Sequence, residues 1–373
     1  IDLSGELSVD HLEAARIIVT VPRTSAPSGG WPVAMMVRTG GGGDRPLVDR
    51  GVRDADGNVL VPGSGPAVQF TAAGFAGVSV DGPHGGIRNV TGGDEQLLIF
   101  NVNNPVALMN NIRQSALELA LVPDIVDTLA IDVSDCTGAV GNDGTEVTFD
   151  VSRLAMLGHS MGATIGPLTL AVEPRFGAVI LSGAGGSWIE NIVHKLSPLE
   201  VKPLAEGLIG YKAYDREVHE HDTVLSLLQW AGEVADPPLY APGLVAGDRH
   251  VLMLQGIVDT YILPPIANAT SLSFGLDLAG PSLDVDHPEL TAFDPLQDML
   301  AYSVRGQVSY PVQGNHDGVT AVVVQHGEDG VEDGHEVVFQ TDAPKHQYRC
   351  FLESYRAGTP IVPEGGELDA SCP

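Results

Sequence analysis

Short apolar runs recur along the chain, each stopped by glycine, proline or an acidic turn, with stretches of helical period between them. Residues 15–23 and 32–38 predict two strands, separated by the Ser/Pro/Gly turn around 24–30. Residues 76–80 predict another, ending at Asp81-Gly82-Pro83-His84-Gly85-Gly86. Over 104–130 the apolar positions Val106, Met109, Ile112, Leu117 and Leu121 predict a helix, which Asn104-Pro105 would start. Runs at 154–157, 178–181, 251–254 and 319–325 predict further strands. Residues 343–355 predict a closing helix with Tyr348, Phe351, Leu352 and Tyr355 on its apolar face. Strand alternating with helix predicts an α/β fold, a mainly parallel central sheet with flanking helices and right-handed crossovers.

One segment breaks that rhythm. Residues 187–249 carry Trp188, Ile189, Ile192, Val193, Leu204, Leu208, Ile209, Leu225, Leu228 and Trp230 on mostly helical spacing. This predicts a helical cap, or lid, inserted into a core formed by residues 1–186 and 250–373. A pair of ordinary crossover helices is the plainer alternative.

The strongest chemical signal sits where the 154–157 strand meets Gly158-His159-Ser160-Met161-Gly162, with a helix-compatible stretch at 163–172 behind it. G-x-S-x-G in a strand–turn–helix context is a nucleophile elbow. The tight turn strains the serine backbone and needs minimal side chains at Gly158 and Gly162. It also puts Ser160 at a helix N-terminus, where backbone N–H groups favour a developing negative charge.

A nucleophilic serine needs a base, and the base needs an acid to orient it. With the elbow, the strand order and candidates running Ser, Asp, His, the chain resembles the α/β-hydrolase superfamily over about residues 15–357. Within it the chain is most similar to capped bacterial serine esterases and lipases, with Ala73-Gly74-Phe75 before the 76–80 strand and Asp81-Gly82-Pro83-His84-Gly85 after it. The resemblance implies an acid at Asp259, which ends an apolar strand in a Gly-x-x-Asp turn. Asp277, Asp284 and Asp286 follow on a Pro-rich segment with no strand before them. Two histidines compete as base, His316 and His335. The fold needs one last strand before the base and one last helix after it. Residues 319–325 lie after His316 but before His335, so His335 is preferred.

Acyl transfer also needs donors aimed at the oxyanion. The resemblance implies the N–H of Met161 and one from the loop Thr39-Gly40-Gly41-Gly42-Gly43, with Gly41 as the best match. Many relatives carry His-Gly where this chain has Thr39-Gly40, which leaves the second donor open. No Lys-Ser/Thr follows these glycines, so they do not form a P-loop. The implied activity is hydrolysis of carboxylic esters through an acyl-enzyme, with no cofactor and no metal, on a small-molecule or lipid-like substrate. The same machinery serves cutinase-like polyester depolymerases, peptidases and acyltransferases, and a non-catalytic binding protein can retain the scaffold.

Composition narrows partners and compartment. The 373 residues include 48 acidic against 19 basic ones, a net charge of −29, which repels nucleic acid and anionic membrane surfaces. No apolar run reaches the length of a membrane span. The chain begins at Ile1 without methionine, which predicts that a leader or an upstream segment was removed, and a secreted or extracytoplasmic protein of bacterial type is expected. Cys350 and Cys372 can clip the C-terminal tail in an oxidising compartment, leaving Cys136 odd, though other pairings stay open. His219-Glu220-His221-Asp222 has metal-ligand letters, but a solvated cap surface is the simpler reading. Asp54-Ala55-Asp56-Gly57-Asn58 lacks the rest of a calcium loop and predicts an exposed turn. His84 and His159 are expected to support the site, and His316, if not the base, to bond near the substrate entrance.

Overall fold

A computed structural model describes residues 12–41, 43–245 and 248–373. Ile1, from which a leader was inferred, and Gly42 of the glycine loop lie outside the described residues. The strands of the main sheet are β1 (Ile17–Thr20), β2 (Trp31–Val37), β3 (Ala76–Val80), β4 (Phe149–His159), β5 (Phe176–Ser182), β6 (His250–Ile257), β7 (Asp277–Ala279), β8 (Gln307–Val308) and β9 (Ala321–Gly327). They lie in the order β1-β3-β2-β4-β5-β6-β9-β7-β8. Only the β1–β3 pairing is antiparallel; the others are parallel.

A sheet of parallel strands carries helices on both faces, so its strands are apolar at every position rather than at alternate ones. All seven residues of β2 are buried, as are the last seven of β6. Alternate residues then feed two cores. Val33, Met35, Leu154 and Met156 pack with Ile112, Ala116 and Leu168 on one face. Ala34, Met36, Ala155 and Leu157 pack with Phe70, Phe339, Tyr348 and Phe351 on the other. The closing helix, Asp342–Ala357, buries Tyr348, Phe351 and Leu352, with Tyr355 partly covered.

Two expectations need correction. The helix Pro105–Ala120 forms, but its inward face is Leu108, Ile112, Ser115, Ala116 and Leu119, while Val106, Leu117 and Leu121 are exposed. Small residues decide the phase. Thr169 Oγ1 donates to Ala116 O at 3.3 Å, a helix-to-helix approach that larger side chains would block. Secondly, the segment carrying the other aspartates is not without a strand: β7 begins at Asp277 and so precedes Asp284 and Asp286, and with β8 it extends the sheet beyond β9.

Residues 187–249 leave the C-terminal end of β5 and return to the start of β6. They hold the helices Trp188–His194, Val201–Leu208, Thr223–Gly232 and Ala241–Val245, joined by turns. Trp188 Nε1 donates to Gly232 O at 2.9 Å, and buried Asp236 accepts from Ser187 N and Gln229 Nε2. Cys350 and Cys372 form a disulfide, while Cys136 is free and exposed. No helix among the described residues is long and apolar enough to cross a membrane.

Candidate active site

The C-terminal ends of β2, β4, β6 and β9 face one edge of the sheet, where loops can converge without breaking the ladder. Ser160 follows β4 with φ 54° and ψ −119°, and its N–H donates to Ser182 O at 2.9 Å. Close approach demands the flanking glycines. A Cβ on Gly158 would lie 2.6 Å from Gly162 O, and one on Gly162 would lie 2.8 Å from Arg38 O. Met161 opens the helix Met161–Val172, and its N–H is among the donors that a helix leaves without an intrahelical acceptor.

Asp259 and His335 meet on this same edge. His335 Nδ1 lies 2.9 Å from Asp259 Oδ2, and both side chains are buried. The other carboxylate oxygen accepts from Tyr261 N at 2.9 Å and Ile262 N at 2.7 Å, so the acid is fixed at both ends. His335 is held from its backbone as well. Asp333 caps its turn by accepting from His335 N at 2.8 Å, and reaches across to Thr260 Oγ1 at 2.6 Å. The Tyr261 ring stacks on the imidazole at 4.5 Å and 13°, and the His159 ring approaches at 4.6 Å. Burial keeps His159 neutral by pushing its imidazole well below the usual range, reinforced by His335 and Arg50. Among the described residues no hydrogen bond joins the Ser160 hydroxyl to His335. Nucleophile–base contacts of this kind tighten around bound substrate.

His316 lies elsewhere. It precedes β9, and its Nε2 lies 3.3 Å from Asp277 Oδ2 at the start of β7. Both sit at the N-terminal edge of parallel strands, and a strand of this length spans about 20 Å. His316 therefore does not bond near Ser160 or an entrance beside it. Burial and Arg305 lower its pKa.

Gly41 follows β2 with φ +70° and is exposed. Beneath the glycine loop lies an ion pair that sequence reading missed. Arg38, 2% exposed, pairs with Glu95 and donates to Pro83 O at 2.7 Å, while Glu95 accepts from Gly43 N at 3.3 Å. One buried pair thus ties the loops after β2 and β3 together. Its only signal was an arginine ending an apolar strand in a chain poor in cations. A cavity of about 400 Å³ opens beside Gly41, bounded by Arg16, Asn89, Asp94 and Glu95. His84 is exposed on the loop after β3, with φ 59°.

Among the described residues, two groups of side chains have donor spacing for a metal. In His159–His335–Glu336 the His335 Nδ1 is already engaged by Asp259; in His346–Cys350–Cys372 the two sulfurs are joined. The His219–Asp222 segment is a turn in which Asp222, buried, takes Arg216 at 2.6 Å, Tyr211 at 3.1 Å and its own turn's N–H. It is not the wholly solvated surface expected: buried Asp222 gathers the turn that leads into the helix Thr223–Gly232. Asp54 accepts from Asp56 N and Asn58 N in an exposed turn.

The sheet order, the strained Ser160 between strand and helix, and acid and histidine loops on the same edge define an α/β-hydrolase fold. Neither a protein-family model nor a curated protein matches this chain. Similar solved structures include an acetyl xylan esterase from Paenibacillus sp. R4, at 15% identity and TM-score 0.46, covering 85% of this chain and 75% of that one. An acylaminoacyl peptidase from Pyrococcus horikoshii matches at 13% identity and TM-score 0.47, over 97% of this chain and 42% of that one. An esterase from an Arctic intertidal metagenomic library matches at 11% identity and TM-score 0.39, over 91% and 88%. These likenesses are distant, and the fold assignment rests on this chain's own topology.

Proposed function

We propose that this chain is a serine hydrolase of carboxylic esters that works through Ser160, His335 and Asp259. The observation that carries the reading is the 2.9 Å contact between His335 Nδ1 and Asp259 Oδ2, on the edge where strained Ser160 opens its helix. An acceptor on Nδ1 selects the tautomer with Nε2 unprotonated, as a general base requires. Ser160 Oγ attacks the ester carbonyl while its proton passes to His335 Nε2. The N–H groups of Met161 and Gly41 hold the oxyanion. His335 then returns that proton to the departing alcohol, leaving acyl-Ser160. Water attacks the acyl group, gives its proton to His335, and releases the acid as Ser160 recovers its own.

Residues 187–249 act as a helical cap over this edge, a reading supported by their bonds to the acid loop: Leu196 N and Ser197 N donate to Thr260 O at 3.3 and 3.1 Å. The Cys350–Cys372 disulfide favours an oxidising compartment outside the cytoplasm. A fluorophosphonate probe tests the nucleophile. The folded protein is expected to be labelled at Ser160 and Ser160→Ala not at all; an unlabelled folded protein contradicts the proposal.

A further inference from the structure

We propose that Tyr261 is a positioning residue for the base, and that Lys195 of the 187–249 insertion holds it there. The inference rests on the reading of His335 as the base. A single hydrogen bond at Nδ1 fixes one atom of an imidazole but leaves the ring free to pivot about that contact. Tyr261 removes this freedom, because its ring lies nearly parallel to the imidazole at 4.5 Å. The same residue's N–H donates to Asp259 Oδ1 at 2.9 Å. One residue therefore sets both the acid and the face of the base.

Tyr261 is in turn held from outside the core. Lys195 Nζ donates to Tyr261 O at 2.9 Å and lies 5.9 Å from the centre of its ring. Next to it, Ser197 Oγ and Thr260 Oγ1 are 2.9 Å apart. Among the described residues no carboxylate lies within ion-pair distance of the Lys195 ammonium; burial pushes its pKa down to about 8, against the smaller opposing pull of the Asp259 charge. A desolvated cation without an ion pair is costly. Its one hydrogen bond is to the backbone of the residue that covers His335, which is where the cost has a use. The acid loop is thereby latched to the insertion, and the orientation of the base depends on a segment outside the sheet.

The test is steady-state kinetics on p-nitrophenyl acetate for Tyr261→Phe, Tyr261→Ala, Lys195→Met and Ser160→Ala, each with a melting curve. Tyr261→Phe keeps the stacked ring and is expected within about threefold of wild-type kcat. Tyr261→Ala is expected to lower kcat about 10- to 100-fold with KM within about threefold, as loss of alignment rather than binding requires. Lys195→Met is expected to lower kcat about three- to tenfold in the same pattern. Wild-type kcat in Tyr261→Ala, a loss confined to KM, or an equal loss in Tyr261→Phe overturns the inference. If any of these occurs while Ser160→Ala is inactive, the inference fails alone. A fully active Ser160→Ala overturns both it and the hydrolase reading.

Discussion

The imidazole of His335 occupies a space that only glycine can leave open. Gly183, just after β5, has φ +51°, and a Cβ there would lie 2.6 Å from His335 Cε1 and 2.8 Å from Nδ1. Gly183→Ala is therefore expected to cost about 1 kcal/mol in backbone strain and to displace the ring. Activity should fall about 100-fold or more while circular dichroism still reports a folded chain; wild-type kcat would show that the ring does not need this space. A second buried histidine sets acid stability. His326 is buried, and desolvation pushes its pKa down to about 4. Its folded value lies below its unfolded one, so the unfolded chain binds the proton first and stability falls with pH between about 6.5 and 4. His326→Gln is expected to flatten that part of a Tm-against-pH curve. At this scale the positions of Ser160 and Asp259 were legible because each closes an apolar strand with glycine two or three residues away. The support was not: Tyr261, Gly183, Asp333 and Lys195 act through contacts between segments far apart in sequence, which no local pattern encodes.

Among the elements, long apolar strands were easy to read and small residues were not. The β2, β4, β5 and β6 strands announced themselves because both faces are buried. The helix Pro105–Ala120 was located, and Ile112 and Met109 do pack inward, but Val106, Leu117 and Leu121 are exposed while Ser115 and Ala116, with little hydrophobic weight, share the buried face. The β7 and β8 strands have three and two residues, too few for a period to show. Counting strands nevertheless placed the histidines on the right sides of β9, with His316 before it at one sheet edge and His335 after it at the other. The latch between insertion and acid loop has its own pH signature. The Lys195 pKa lies below its unfolded value, so the charged form opposes folding; that cost is fully present below about pH 8 and fades as pH rises toward 10.5. The wild type should gain stability over that window relative to Lys195→Met. Parallel Tm curves for the two proteins would place the ammonium in water instead.

At the scale of the whole molecule, one nine-stranded main sheet with helices on both faces puts the candidate chemistry along one edge and leaves the other to contacts such as His316–Asp277. The C-terminal tail is pinned to the closing helix by the Cys350–Cys372 disulfide, which spans 22 residues. Closing a loop of that length stabilises the folded state by about 3 kcal/mol in the chain-entropy description. Reduction should lower the melting temperature by a few degrees, and an unchanged midpoint with both thiols shown free would exclude that role. Net charge and the sheet architecture were legible from composition and pattern alone. The identity of the base has the widest consequences, because it decides which sheet edge is active. The most direct measurement is the initial rate of p-nitrophenyl acetate hydrolysis by wild type, Ser160→Ala, His335→Ala and His316→Ala at pH 8. Expected are losses of about 1,000-fold or more for Ser160→Ala and His335→Ala, with His316→Ala within about twofold of wild type. Wild-type activity in Ser160→Ala, or a loss in His316→Ala that His335→Ala does not share, would contradict it.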